Sequence, residues 1–283
     1  MSAVLFDVPG PRARFRHRVY TVLGTLGLLA LLAWVLWTLW EREQITPDKW
    51  EAFTRVPILR ALAEGLATTL GAAAMAIALA IVFGAVFAAG RLSDHGWLRL
   101  PSVVVVEFFR AVPLLLLILA IYLGFGSVLG TFWSLVLGLT LYNGSVLAEI
   151  FRAGILAVPK GQSEAGYALG LRKSQVMSLV LAPQAVRSML PAVISQCVVA
   201  LKDTALGYVI GAPGIVNVGE RIYIQPMYQN PLAVGLVLAA VFIVINYTLS
   251  RLAQWLEARL RREGRRVVDV TAIPGAGDAG QGA

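Results

Sequence analysis

Few residues of this chain are equipped for chemistry, and their spacing narrows what they can do. Lys202 and Asp203 stand side by side inside an otherwise apolar run, 190–210, with Thr204 next to them. They fall about a dozen residues into the run, roughly 18 Å along a helix axis. Charges at that depth in a membrane helix are costly unless they pair or face water, so they point to a pathway for a polar solute. Neighbouring helical residues project about 100° apart, so the two are poorly placed to satisfy each other. The alternative is an ion pair that fixes helix packing. Thr204 can hydrogen-bond a solute or its own backbone.

Two further pairs, Glu107 with Arg110 and Glu149 with Arg152, are each three residues apart and share a helical face. Both lie near the ends of apolar runs, where long side chains reach back to the interface. They read as structural ties at helix bases, or as an inner gate. Other chemistry is excluded. Cys197 is the single cysteine, and His17 and His95 sit in basic stretches without carboxylate or cysteine companions, so no metal site is expected. "GYALGLRKS" lacks both the glycine directly before its lysine and a preceding strand, so it is no phosphate loop. The sequons at Asn143 and Asn246 fall within apolar runs and are closed to glycosylation.

The elements that must position these groups are membrane helices. Hydrophobic residues make up 58% of the sequence and charged ones 14%, against nearer 45–50% and about 25% in soluble domains. About six runs are long enough to cross a bilayer: Val19 to Trp40, Gly65 to Ala89, Ser102 to Phe125, Phe132 to Ile155, Leu190 to Ile210, and Leu232 to Ser250. The fold class is therefore all-α integral membrane protein. The formal charge of +8 sits in short flanks beside these runs, which suits membrane topology and lipid rather than nucleic acid. Arg12, Arg14, Arg16 and Arg18 precede the first run, Arg91 and Arg99 follow the second, and Arg251, Arg259, Arg261 and Arg262 follow the sixth. Both termini are thus expected in the cytoplasm.

Residues 1–18 read as a basic cytoplasmic N-terminus and 19–40 as an additional N-terminal transmembrane helix. The latter has no small-residue cleavage site, so it is expected to stay rather than be removed as a signal. Pro113 is placed to kink the third run. The glycine-rich stretch 267–283 has nothing to bury and is expected to be disordered.

The longest polar segment, 156–187, follows the fourth run on the cytoplasmic side. Ala165, Ala168 and Leu169 form an apolar stripe, and Gly170 suits a left-handed C-cap. Gly161 and Gly170 are expected to be bends, and Ser174 to cap a second short helix that ends near Pro183. Such a helix pair can lie in the lipid interface, pack on its own bundle, or dock a cytoplasmic partner.

"EAGYALGLRKSQVMSLVLAP" resembles the EAA loop of ABC-importer permeases. Glu164, Ala165, Gly170 and Pro183 match that pattern, while Gly166 stands for its second alanine and Ala182 for its leucine. The added glycine lowers helix propensity by up to about 1 kcal/mol. "VEFFRAVPLLLL", "AEIFRAGILAVPKGQSEAGYALGL" and "LKDTALGYVIG" are similar to further signatures of the polar amino-acid branch, so the likeness covers about residues 60–260. The N-terminal "VLFDVPGPRARFR" and the extra first span are similar to the second permease subunit of actinobacterial glutamate-uptake systems.

That resemblance implies a five-helix type I importer core, 60–260, behind the extra helix, in a bacterial plasma membrane. It implies a second permease subunit, a paralogue rather than an identical copy, with two copies of an ABC ATPase and an extracytoplasmic amino-acid-binding protein. No cofactor is expected on this chain, since ATP and Mg would sit on the ATPase. The coupling loop would carry Gly161, Glu164, Ala165, Gly166, Gly170 and Pro183. The substrate would be glutamate, glutamine or a similar polar amino acid. An ion-coupled secondary transporter is the alternative.

Overall fold

The computed structural model describes residues 10–265, and among them every regular element is helical. The helices are α1 (Pro11–Glu41), α2 (Val56–Arg91), α3 (Gly96–Ala111), α4 (Leu114–Leu156), α5 (Lys160–Ala168), α6 (Lys173–Gln175), α7 (Ala182–Asp203), α8 (Ile215–Tyr223) and α9 (Pro231–Arg265). A π-helical segment, Val176–Leu181, joins α6 to α7, and 3-10 segments occupy Pro47–Thr54 and Thr204–Ile210.

Five helical stretches of the described residues have the length and apolarity to cross a membrane. The longest, α4, is two crossings in one. As a straight rod its 43 residues would run about 65 Å, twice the hydrocarbon thickness. Gly130 instead takes φ 68° and ψ 177°, a backbone that glycine adopts without a Cβ penalty. Ile118 consequently packs on Gly138, although a straight helix would hold them about 30 Å apart. The arms 114–129 and 131–156 run antiparallel, so the chain crosses about six times, as its apolar runs indicate.

Helices α2 and α9 extend beyond their expected runs, to Val56 and Arg265, and three other differences have a local reason. The helix of the first run begins at Pro11 rather than Val19, since nothing breaks it across the arginines. The third run, expected over Ser102 to Phe125, is cut where Val112 goes extended (φ −79°, ψ 126°) before Pro113, because a residue preceding proline is pushed out of the helical region. The expected second short helix of the 156–187 loop merges into α7. The wide π turn comes immediately before Pro183, whose missing N–H and bulky ring disrupt ordinary α-helical bonding.

Packing centres on α2 and α4. One face of α2 carries Gly65, Thr69, Ala72, Ala76, Ala80, Gly84 and Ala88, all buried and nearly all four apart. Small residues at that spacing let backbones approach closely in a membrane. A core that includes Ala72, Ala76, Leu114, Ile118, Val136 and Leu139 packs α2 against both arms of the hairpin. A second cluster, Ala52, Leu62, Ile215, Ile222, Tyr228 and Val234, ties α8 and the 47–54 segment to α2 and α9. By contrast, none of the apolar window of α1 is buried. The basic C-terminal residues beyond 265 and the 267–283 stretch lie outside the described residues.

Candidate functional site

The 156–187 segment is built from its turns upward. Pro159 (φ −54°, ψ 133°) sets the entry to α5, and the Gln162 N–H reaches the Pro159 carbonyl at 3.0 Å. Gly161 lies inside α5 and is helical rather than a bend, because the adjacent proline already makes the turn. Gly170 is the bend expected, at φ +78°. Around it the Gly170 N–H bonds Tyr167 O at 2.9 Å and the Leu171 N–H bonds Gly166 O at 3.2 Å. That is the paired 5→2 and 6→1 bonding of a Schellman cap.

Ser174 is not the cap of the next helix. It falls within α6, and the Arg172 N–H is instead satisfied by Gln175 Oε1 at 2.9 Å. The arm is pinned again where Gln184 Nε2 donates to Gln162 Oε1 at 3.1 Å.

Gly166 acquires a reason. It is buried, and a β-carbon there would meet Val176 Cγ2 at 3.0 Å, with Val176 itself 0% exposed. Glycine at this position lets α5 lie against the π segment. The outward side presents Glu164, Ala165, Tyr167 and Leu169 to solvent, Leu169 at 81% exposure. Pro183 is exposed in the first turn of α7.

Lys202 and Asp203 close α7, with Lys202 exposed and Asp203 half-buried. The continuous helical stretch begins at Lys173, so the two lie toward its far end rather than at mid-depth. No ion pair joins them among the described residues. The Thr204 hydroxyl donates to Leu201 O at 2.6 Å, the backbone option rather than a free solute contact.

A buried polar pair sits nearer mid-membrane, and sequence reading passed over it. Asn143, 2% exposed at the centre of the second α4 arm, accepts from Gln196 Nε2 on α7 at 2.7 Å and donates to Leu139 O at 2.9 Å. Asn143 had been set aside as an inaccessible sequon. The available signal was a polar amide in the middle of an apolar run.

The two helix-base pairs form as expected and are joined by a residue read only as a topology charge. Arg152 grips Glu149 through two bonds, 2.5 and 3.1 Å, while Arg110 stands 3.5 Å from Glu107. Arg91, at the end of α2, places Nη2 3.2 Å from both Glu107 and Glu149. Three residues on, Asp94 pairs with Lys173 at the start of α6. The Lys173 ammonium holds the Asp94 carboxyl below its ordinary range.

Residues 80–262 match the family described as binding-protein-dependent transport system inner membrane component. The chain is 41% identical over 244 residues to the glutamate transport system permease protein GluD of Corynebacterium glutamicum, covering 84% of this chain and 89% of that one. It is 33% identical to the probable glutamine ABC transporter permease protein GlnP of Bacillus subtilis, covering 71% and 94%. A crystal structure of an amino acid ABC transporter with histidines superposes with TM-score 0.66 at 30% identity, covering 73% of this chain and 97% of that chain. The methionine ABC transporter MetNI in an inward-facing form shares the fold, with TM-score 0.63 at 21% identity.

Proposed function

Because this chain belongs to the family of binding-protein-dependent transport system inner membrane components, we propose that it forms half of the translocation pathway of an ATP-driven importer for polar amino acids, glutamate foremost. It is a multi-pass membrane permease, and members of its family work with a partner permease, an ATPase and a binding protein. The relative named for glutamate, matched over most of both chains, supports glutamate as the substrate. Nothing in the comparisons favours the ion-coupled alternative. The finer assembly is a paralogous second permease, two copies of the ATPase carrying ATP and Mg, and an extracytoplasmic binding protein. Both termini face the cytoplasm.

The observation that carries the reading is the attachment of α5. Its outward face is exposed, while its inward face rests through Gly166 on Val176, and from Lys173 the helix continues without a break into α7. A push on α5 therefore reaches α7 through the contact of Gly166 with Val176, with only the capped turn 169–172 between the two helical stretches. An ATPase cleft closing around Glu164, Tyr167 and Leu169 would bias a two-state membrane domain. In this reading Gln196, Lys202 and Asp203 on α7 would supply polar partners to a zwitterionic solute.

The test is uptake of labelled glutamate into proteoliposomes holding this chain, its paralogue, the ATPase and the binding protein. Uptake should require ATP on the ATPase side. Uptake without ATP, driven by an ion gradient, would contradict the reading.

A further inference from the structure

Arg91 is the most deeply buried charge of the helix-base cluster, its side chain only 10% exposed. Three arginines, 91, 110 and 152, face two carboxylates, Glu107 and Glu149, so the cluster is short of acceptors. The shortage falls on Arg91. Its Nη2 alone serves both carboxylates, while Nε and Nη1 are buried with no hydrogen-bond partner. Guanidinium favours a bidentate fork on a single carboxylate, and buried donors left unpaired are expensive. A small relative shift of the α3 or α4 base would give Arg91 such a fork on one of the two. The shared arrangement seen here therefore leaves Arg91 with donors that a fork on either carboxylate would satisfy.

The position of Arg91 connects this cluster to the α5 arm. It ends α2, and Asp94 in the short connection that follows is paired with Lys173, the first residue of the helical stretch that runs into α7. We propose that Arg91 is a latch: shared between Glu107 and Glu149 it holds the bases of α2, α3 and α4 in the resting arrangement, and displacement of the α6–α7 stretch, felt through Asp94, releases it. This makes Arg91 a positioning residue, and the proposal rests on the importer reading above.

The experiment uses the assembled complex in proteoliposomes, with ATP hydrolysis measured with and without glutamate-loaded binding protein, and glutamate uptake measured per ATP. Arg91→Gln should raise hydrolysis without the binding protein at least about fivefold and lower uptake per ATP. Arg91→Lys keeps the charge without the fork and should fall between. Glu107→Gln, whose carboxylate is half exposed, should shift the ratio in the same direction and carries the test if Arg91→Gln does not assemble. The double variant should be no worse than Arg91→Gln alone. Variants that melt earlier but keep the wild-type stimulation ratio would overturn the latch and leave a structural ion cluster. A wild-type complex without ATP-dependent uptake would overturn the importer reading and the latch together.

Discussion

The seam between α2 and α4 and the contact between α5 and the π segment both depend on glycine, yet they make opposite kinds of joint. At Gly84 a β-carbon would sit 2.9 Å from Leu147 Cβ and 3.0 Å from the Gly144 carbonyl oxygen, with backbone on the far side that cannot turn away. At Gly166 the neighbours are side chains only, Val176 Cγ2 at 3.0 Å and Leu171 Cδ1 at 3.8 Å, and the other face of the helix is open. The first joint locks two membrane helices over many residues. The second attaches a short arm on one side and leaves the other free to be gripped. A transporter moved from outside needs both, a body that moves as a unit and a handle that does not dissolve into it.

Substitutions can break this contrast, and the largest effect belongs to the seam. Gly84→Leu should cost about 3 kcal/mol or more, read as a lower melting temperature of the purified complex and reduced assembly. A variant with unchanged melting would show that the seam is looser than its geometry. Glu164→Lys should leave melting unchanged while cutting ATP-dependent uptake at least about tenfold, a coupling change within the usual range for linked sites. Near-normal uptake by that variant would remove Glu164 from the docking face.

The smallest effect concerns the exposed tie between Asp94 and Lys173. A carboxyl lowered in the folded state contributes stability above its ordinary value of 3.8, and that contribution is lost as pH falls through the lower folded value. Melting of wild type against Asp94→Asn should show a small gap at neutral pH that closes below the ordinary carboxylate range. A gap independent of pH would assign the difference to something other than this charge.

How far these features could be read from sequence depends on the range of the interaction. The crossings were legible because bilayer thickness fixes run length. Gly170 was legible because a left-handed cap needs glycine. Pro113 was read as a kink and proved to be a full break, since Val112 yields to it. Ser174 was assigned as the cap, yet the helix starts one residue earlier with Arg172 at the N-cap position, its N–H satisfied by Gln175 from inside the first turn, and only the path of the chain decides that start. The pairs three residues apart were readable from helical geometry, but Arg91 reaches Glu107 across sixteen residues and Gln196 reaches Asn143 across fifty-three. No local spacing rule connects such residues. Gly166 looked like a weakness in a helix until Val176 was found beneath it.

The claim on which the account depends is that an ATPase grips the exposed face of α5, and photo-crosslinking tests it directly. A photoreactive residue placed at Leu169 should yield an adduct with the ATPase in the assembled complex. The same residue at Leu123, equally exposed at 80% but within a membrane arm, should not. An ATPase adduct from Leu169 alone is the predicted result. Absence of any adduct from Leu169 in a complex that still transports would contradict the account.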